Sequence, residues 1–184
     1  MTLSFTNMCI SFTLVLGGAS SGKSDIAEKL CFHSQLDRVY LASSQVYDDE
    51  MRTKVEQHRT NRGPDWRTIE EPFRADQVIL EAKAHQILLF DCATLWLTNH
   101  LLADHDIAQE TDMLLAALKS CPAQVVIVSN EVGQGIVPEN ALARRFRIEQ
   151  GQLNRRLAAE AGTVVGVMAG LPFMLKGDRP EALK

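Results

Sequence analysis

The chain has 184 residues, of which 46% are hydrophobic, and this is enough apolar material for the core of one compact domain. Its formal net charge of -4 and its pI near 5.7 argue against a nucleic-acid partner, because such proteins usually carry a strongly basic face. We predict one domain over residues 1–184, with frayed ends at residues 1–10 and 177–184.

The N-terminal part contains an apolar run at residues 10–16 that could be mistaken for the core of a secretion signal. No Lys or Arg precedes Lys23, so the charged region that opens such a signal is missing. No apolar stretch reaches the roughly 18 residues that a membrane span needs. We therefore expect a cytoplasmic protein with no membrane span.

The cysteines are widely separated and form no close pair of the kind used in metal knuckles or redox motifs. They are Cys9, Cys31, Cys92 and Cys121. We interpret them as small buried residues in a reducing compartment.

Short apolar runs alternate with stretches of helical periodicity, a pattern that favours parallel strands connected by crossover helices. Strands are predicted at residues 11–16, 38–42, 86–90, 124–129 and 163–168. Helices are predicted at residues 22–33, 48–59, 94–102, 108–120 and 139–161. The expected fold is α/β, a three-layer sandwich around a mostly parallel sheet.

The last predicted helix has an apolar stripe that should face the sheet. The stripe consists of Leu142, Phe146, Leu153 and Leu157. Pro138 fits its first turn, where a missing N–H group costs little. Gly151 lies in its interior and costs about 1 kcal/mol relative to Ala, so we expect a kink or break there.

A phosphate-binding loop is the strongest motif in the chain. The segment G-G-A-S-S-G-K-S at residues 17–24 matches G-x-x-x-x-G-K-[ST] and lies between a predicted strand and a predicted helix. Small residues let backbone N–H groups converge on phosphate oxygens, Lys23 neutralises the β- and γ-phosphates, and the Ser24 hydroxyl coordinates Mg²⁺. The nucleotide-binding residues predicted from this motif are Gly17, Gly18, Ala19, Ser20, Ser21, Gly22, Lys23 and Ser24. The motif and the alternating elements together predict a P-loop NTPase-like (RecA-like) fold.

An acidic residue at the end of a neighbouring strand should complete the metal site. Asp91 follows an apolar strand and is the preferred candidate for binding nucleotide and metal. An ordinary helix N-cap is the alternative for Asp91. Glu131 follows another strand and is a rival. A regulatory GTPase would carry a guanine-reading N-K-x-D element after this strand. The sequence at residues 129–133 is S-N-E-V-G, which lacks that element. An enzyme acting on a small molecule is therefore favoured over a switch protein.

Longer motifs resemble one known enzyme family. They are A-S-S-Q-V-Y-D-D-E-M (42–51), H-R-T-N-R-G-P-D-W-R-T-I-E (58–70), L-L-F-D-C-A-T-L-W-L-T-N (88–99), S-N-E-V-G-Q-G-I-V-P-E-N (129–140) and L-A-R-R-F-R (142–147). In this order and spacing they look like the bifunctional adenosylcobinamide kinase / adenosylcobinamide-phosphate guanylyltransferase. The resemblance runs over about residues 12–176.

The resemblance implies two reactions, with GTP, ATP and Mg²⁺ as cofactors. Adenosylcobinamide is first phosphorylated by a nucleoside triphosphate. GMP is then transferred from GTP to adenosylcobinamide phosphate, which releases pyrophosphate and gives adenosylcobinamide-GDP. Homologous enzymes assemble as trimers, so the resemblance also implies a homo-oligomer.

The family carries GMP on a histidine, and His58 is the matching position, which makes His58 and Lys23 the expected catalytic residues. Neutral imidazole is a nucleophile near pH 7, and a covalent intermediate divides one difficult displacement into two easier ones. Without the resemblance, a solvated surface residue would be the simpler interpretation of His58.

Other positions match the family's nucleotide site. Arg59 and Arg62 could hold phosphate through bidentate hydrogen bonds. The alternative for both is an ordinary solvent-exposed charge with no role in binding. Glu70 could read the donors of guanine. The remaining three residues follow the second strand, at the sheet edge where ligands bind in such folds: Ser43, Ser44 and Gln45.

Basic residues on the last helix are most simply a solvated face, and the alternative places some of them near substrate phosphate or at a subunit contact. They are Arg144, Arg145, Arg147, Arg155 and Arg156. The family usually has Arg where this chain has Ser20, so one phosphate or subunit contact expected from the resemblance is missing. A single-function P-loop kinase with an inert His58, and a nucleotide-sensing module without catalysis, are the competing functions.

Overall fold

The computed structural model describes residues 12–45 and 65–184, which form one sheet covered by helices on both faces. The strands are β1 Thr13–Gly17, β2 Asp37–Ala42, β3 Trp66–Glu70, β4 Gln86–Asp91, β5 Gln124–Asn130, β6 Thr163–Met168 and β7 Leu171–Lys176. The helices are α1 Lys23–His33, α2 Ala75–Glu81, α3 Ala93–Leu102, α4 Ile107–Ser120 and α5 Ala141–Glu160, and a short 3₁₀ helix spans Glu181–Leu183.

The sheet has seven strands in the order β3-β2-β4-β5-β1-β6-β7. All neighbouring pairs are parallel except β6 and β7, which are antiparallel. One strand, β5, separates β1 from β4. The predicted α/β fold with a mostly parallel sheet is therefore confirmed, and it has the RecA-like arrangement.

Consecutive strand residues divide between two cores, which makes the fold three-layered. Leu14 and Leu88 pack with α2, α3, α4 and α5 on one face, whereas Val15 and Leu89 pack with α1 on the other. A parallel strand buried on both faces needs apolar residues at every position. This is why the central strands were recognisable as short apolar runs.

The two edge strands and α2 were not predicted. In β3 and β7 most residues are exposed; β3 has no continuous apolar run, and β7 contains Pro172, a residue that argues against a strand in the sequence. Helix α2 has only 7 residues, which is too short to show a helical period. The predicted helix at residues 48–59 lies outside the described residues.

Helix α5 differs from its prediction in three ways. It runs without a break through Gly151, where a kink or break was expected. It begins at Ala141, after Asn140, whose side chain accepts a hydrogen bond from the Ala143 N–H at 3.1 Å, so Pro138 lies outside the helix. Leu142 is exposed, because the helix buries only its second half against the sheet. A favourable cap and this buried half offset the cost of one interior glycine.

The C-terminal residues do not form the frayed end that we expected. Ala182 and Leu183 are buried, and Leu183 joins the core on the α1 face of the sheet. Residues 1–10, the other expected frayed end, lie outside the described part of the chain. Within the described ranges, we find no helix with the length and apolar character needed to cross a membrane.

Candidate functional site

The phosphate loop connects β1 to α1, and its backbone has the shape that the motif requires. Gly22 has φ 88° and Ser20 has φ 53°, both in the left-handed region. A Cβ on Gly17 would lie 2.3 Å from Ser21 Oγ and 2.7 Å from the Val167 carbonyl oxygen, so only glycine fits there. The loop therefore needs glycine at positions 17 and 22 for steric and conformational reasons.

Lys23 folds back over this loop. Its Nζ donates a hydrogen bond to the Gly18 carbonyl oxygen at 3.1 Å, and Lys23 is the first residue of α1. The N-terminus of α1 adds the positive end of its dipole and free N–H groups at the same place. An ammonium group bonded to a neutral carbonyl can exchange that bond for a stronger one to a phosphate oxygen. The loop and Lys23 together can therefore bind a triphosphate.

The hydroxyl oxygen of Ser21 is a buried polar atom of this loop. Its side chain is buried, and among the described residues its Oγ has no hydrogen-bond partner. A buried hydroxyl without a partner is costly, and a bound anion would remove that cost. This supports a ligand at the loop.

Asp91 ends β4 on the same edge of the sheet. In the strand register it pairs with Ala42 of β2 and Val128 of β5, while Gly17 pairs with Asn130 of β5. The carboxyl ends of these strands therefore meet where ligands bind in open α/β sheets.

The pKa of the Cys92 thiol shows that charges of both signs lie near it. This pKa is raised to about 12, mainly by burial and also by the negative charge of Asp91, while the positive charge of Lys23 lowers it. The acidic and basic residues predicted for the site therefore both lie near one buried thiol. The Ser24 hydroxyl and the Asp91 carboxylate offer hard oxygen ligands, the kind that Mg²⁺ prefers, so these residues fit that ion.

Glu131, the rival acidic residue, also lies beside the phosphate loop. Its N–H donates to the Gly17 carbonyl oxygen at 3.0 Å, and its carboxylate accepts a hydrogen bond from the Gly133 N–H. It lines a groove of about 610 Å³ with residues 16–21 of the loop and with β6 and β7. Through these two hydrogen bonds Glu131 holds the segment that follows β5 beside the phosphate loop.

Ser43, a predicted nucleotide contact, uses its hydroxyl within the protein. It is fully buried, and its Oγ donates to the Cys92 carbonyl oxygen at 2.7 Å and accepts from the Cys92 N–H at 3.1 Å. It therefore links the end of β2 to the residue after Asp91. A hydroxyl that forms two hydrogen bonds with backbone groups is not available to a ligand in this conformation. Ser43 therefore holds the backbone next to Asp91 from the buried side of the sheet edge.

The other predicted nucleotide contacts on β2 and β3 reach the same edge. Ser44 and Gln45 follow β2 and are half-buried. Glu70 ends β3, is exposed, and pairs with Ala42 in the register. His58, Arg59 and Arg62 lie outside the described residues, so their predicted roles stay predictions.

Helix α3 holds the segments after β2 and β3 together, a role that the sequence did not reveal. The side-chain amide of Asn99 donates to the Ser43 carbonyl oxygen at 2.7 Å and to the Pro72 carbonyl oxygen at 2.9 Å. Trp96 Nε1 donates to the Phe73 carbonyl oxygen at 2.9 Å. The available signal was the amide side chain of Asn99 in a mostly apolar helix, because a buried amide needs hydrogen-bond partners.

A second buried polar network supports the end of β5. Ser129 Oγ donates to Asn154 Oδ1 at 2.6 Å, and Gln150 Nε2 donates to both side chains at 3.0 Å. Asn154 Nδ2 donates to the Asn130 carbonyl oxygen at 2.9 Å, and the Asn130 N–H donates to Thr94 Oγ1 at 2.8 Å. The start of the S-N-E-V-G motif is thereby anchored to α3 and α5.

The arginines of α5 are not a uniform solvated face. Arg144, Arg147 and Arg155 line one groove of about 720 Å³ together with Glu131. Arg147 also donates to the Gly133 carbonyl oxygen. The other two lie in ion pairs: Arg145 with Asp104 at 3.7 Å, and Arg156 with Asp112.

Comparison with known proteins agrees with this geometry. A solved structure from Pyrococcus horikoshii OT3 superposes with a TM-score of 0.57 at 10% identity, covering 94% of this chain and 89% of that chain, which supports the fold alone. The chain is 44% identical to the bifunctional adenosylcobalamin biosynthesis protein CobP of Pseudomonas aeruginosa, over 90% of this chain and 97% of that protein. It is 41% identical to the proteins named CobU of Escherichia coli and Salmonella typhimurium, over 89% of this chain and 98% of each. The family model for cobinamide kinase / cobinamide phosphate guanyltransferase matches residues 13–175, and the chain belongs to that family.

Proposed function

We propose that this protein phosphorylates adenosylcobinamide with a nucleoside triphosphate and then transfers GMP from GTP to adenosylcobinamide phosphate. Membership of the family supports both reactions, since the match spans residues 13–175. The observation that carries the proposal is the phosphate loop. Only glycine fits at position 17 of this loop, and Lys23 lies over the turn, where it donates to the Gly18 carbonyl oxygen. Both reactions need a triphosphate held at such a loop.

In the kinase step the corrinoid hydroxyl oxygen attacks the γ-phosphorus of ATP or GTP. The bond from that phosphorus to the β,γ-bridging oxygen breaks, the nucleoside diphosphate leaves, and the hydroxyl proton is lost to solvent. Lys23 and the N–H groups of the loop stabilise the negative charge on the transferring group. Mg²⁺, held by Ser24 and Asp91, would neutralise further charge on the β- and γ-phosphates.

In the transferase step an imidazole nitrogen of His58 attacks the α-phosphorus of GTP and pyrophosphate leaves. A phosphate oxygen of adenosylcobinamide phosphate then attacks the same phosphorus, and the bond from phosphorus to nitrogen breaks. Arg59 and Arg62 would hold the phosphates, while Ser44, Gln45 and Glu70 would contact the nucleotide. The positions of Ser44, Gln45 and Glu70 at the sheet edge support the last part of this assignment.

Labelling with α-³²P-GTP tests the proposal and distinguishes it from a single-function kinase. The wild-type protein should retain the label after denaturing electrophoresis, because only a covalent intermediate survives it. His58→Ala should lose the label and the transferase activity while it still binds GTP. A nucleotide-sensing module would instead bind GTP and release no pyrophosphate when adenosylcobinamide phosphate is supplied. Unchanged transferase turnover in His58→Ala would rule out this histidine.

The protein should also assemble into a homo-oligomer, with a trimer expected from the resemblance. The support is an exposed apolar face on β7, where Leu171, Phe173 and Leu175 alternate along the strand and are 71%, 46% and 57% exposed. Apolar surface of this kind on an edge strand favours burial against another chain. Sedimentation velocity should show an oligomer for the wild type and a monomer for the double variant Leu171→Asp, Leu175→Asp.

A further inference from the structure

Two histidines and a glutamate converge where α3 ends and α4 begins. His100 lies in the last turn of α3, His105 in the connecting turn, and Glu110 in the first turn of α4. The two Nδ1 atoms are 2.9 Å apart. Glu110 Oε2 lies 3.8 Å from Nδ1 of His100, and its Oε1 lies 3.9 Å from Nδ1 of His105. Three potential metal ligands therefore face one point.

The hydrogen bond on the far side of His100 orients its ring for this point. His100 Nε2 lies 3.1 Å from the Phe73 carbonyl oxygen, which can only accept, so Nε2 carries the hydrogen. Nδ1 is then unprotonated and presents its lone pair to His105 and Glu110. The ring is buried and packs on Trp96 with a centroid separation of 4.5 Å. Metal-binding histidines commonly show this arrangement, with the second nitrogen donating to a backbone carbonyl.

We propose that His100, His105 and Glu110 bind one Zn²⁺ ion, which nothing in the proposed reactions requires. Tetrahedral Zn²⁺ with bonds of about 2.0–2.1 Å separates its ligand atoms by about 3.3 Å. The distances here bracket that value, at 2.9 Å between the nitrogens and 3.8 and 3.9 Å to the carboxylate oxygens. Shifts of about half an ångström therefore complete the site.

The competing interpretation is a hydrogen bond between the rings, in which His105 Nδ1–H donates to His100 Nδ1. It leaves the Glu110 carboxylate beyond hydrogen-bond distance of both rings. A divalent cation accounts for all three groups together. Water would be the fourth ligand, since the His105 and Glu110 side chains are 42% and 19% exposed.

A metal at this place would have a structural role. It would tie the end of α3, the turn at Asp104 with its φ of 54°, and the start of α4 into one unit. Through His100 it would also hold the Phe73 carbonyl, in the segment that follows β3. Binding to the native state alone would raise the thermal midpoint in a Zn²⁺-dependent way.

The test is calorimetric titration of chelator-treated, nucleotide-free protein with ZnCl₂. We expect one equivalent to bind the wild type, and His105→Ala and Glu110→Gln to weaken this binding at least tenfold. His85→Ala is the matched control, because His85 is also an exposed histidine near a carboxylate, 3.7 Å from Asp37 Oδ2, and lies outside the cluster. The control should bind Zn²⁺ as the wild type does.

Two further measurements complete the experiment. Co²⁺ added to the wild type should give the visible absorption of a tetrahedral site, and Glu110→Gln should lose it. Both variants should unfold at the wild-type midpoint when no metal is present, which excludes misfolding as the cause of lost binding. Absence of Zn²⁺ binding by the wild type at micromolar concentration, or equal binding by His105→Ala, would overturn the proposal. No nucleotide is used, so the outcome is independent of the proposed function.

Discussion

Ser43 and Cys92 exchange two hydrogen bonds, one from the Ser43 hydroxyl to the Cys92 carbonyl oxygen at 2.7 Å and one back from the Cys92 N–H at 3.1 Å. One buried hydroxyl thus joins the end of β2 to the residue after Asp91. The position of the Asp91 carboxylate therefore depends on a side chain that lies behind the ligand-binding edge.

Ser43→Ala tests that dependence. The substitution leaves two buried backbone groups without this partner and should lower the free energy of unfolding by about 1–3 kcal/mol. The KM for nucleotide should rise, because Asp91 loses its neighbour's anchor. Urea denaturation and steady-state kinetics measure the two effects. Ser44→Ala, at a half-buried neighbouring position, serves as the control for stability and should change it by less than about 0.5 kcal/mol. Equal stability of Ser43→Ala and Ser44→Ala would contradict the anchoring role.

Gly17→Ala tests the steric requirement of the phosphate loop. The new Cβ would meet Ser21 Oγ at 2.3 Å and the Val167 carbonyl oxygen at 2.7 Å, so the loop must move. We expect GTP affinity, measured by calorimetry, to fall at least tenfold. Gly151→Ala is the control: nothing lies within 4 Å of its Cβ, and alanine in this helix interior should stabilise the protein by up to about 1 kcal/mol. Normal GTP binding by Gly17→Ala would refute the packing argument.

Asn99→Leu tests the connection that α3 makes between the segments after β2 and β3. The substitution keeps the branched shape of the side chain but removes the donor to the Ser43 and Pro72 carbonyl oxygens. We expect a loss of about 2 kcal/mol in the free energy of unfolding, because one buried and one partly buried acceptor lose this donor. Thr98→Ala removes a hydrogen bond within the same helix and should cost less than half as much. The comparison is made by chemical denaturation, and equal losses in both variants would argue against the connection.

Native cysteine reactivity tests the burial of the thiols. Burial raises the pKa of Cys31 and Cys92 to about 12 and raises that of Cys121 as well. At pH 8 a thiol with a pKa of about 12 is ionised in only about one molecule in 10⁴, and the thiolate is the reactive form. Peptide mapping after iodoacetamide should show these three cysteines unlabelled in native protein and labelled in urea. Rapid native labelling of Cys31 or Cys92 would show that the packing around it is wrong.

The central strands and the phosphate loop were predictable because their signals are local. A strand buried on both faces must be apolar at every position, and β4 and β5 satisfy this within a few residues. The phosphate loop needs small residues, a lysine and a hydroxyl at fixed spacing, and all of them stand in residues 17–24.

The edge strands and the role of Ser43 were decided by the tertiary structure. Strands β3 and β7 pair on one side only: β3 carries no continuous apolar run, and β7 contains Pro172, which an edge strand can accommodate. Ser43 was placed near the nucleotide from its position after β2, but its burial depends on how β4 lies beside β2. No local pattern contains that information.

The sequence by itself determined that the chain has a phosphate loop at the end of a buried strand and a family-specific set of motifs, since each is a short segment with its own chemistry. Only the tertiary structure decided which side chains meet: Asn99 with Ser43, and His100 with His105 and Glu110. The physical reason is that strand order and helix packing set these contacts, and both result from burying the whole apolar surface at once rather than from any one segment.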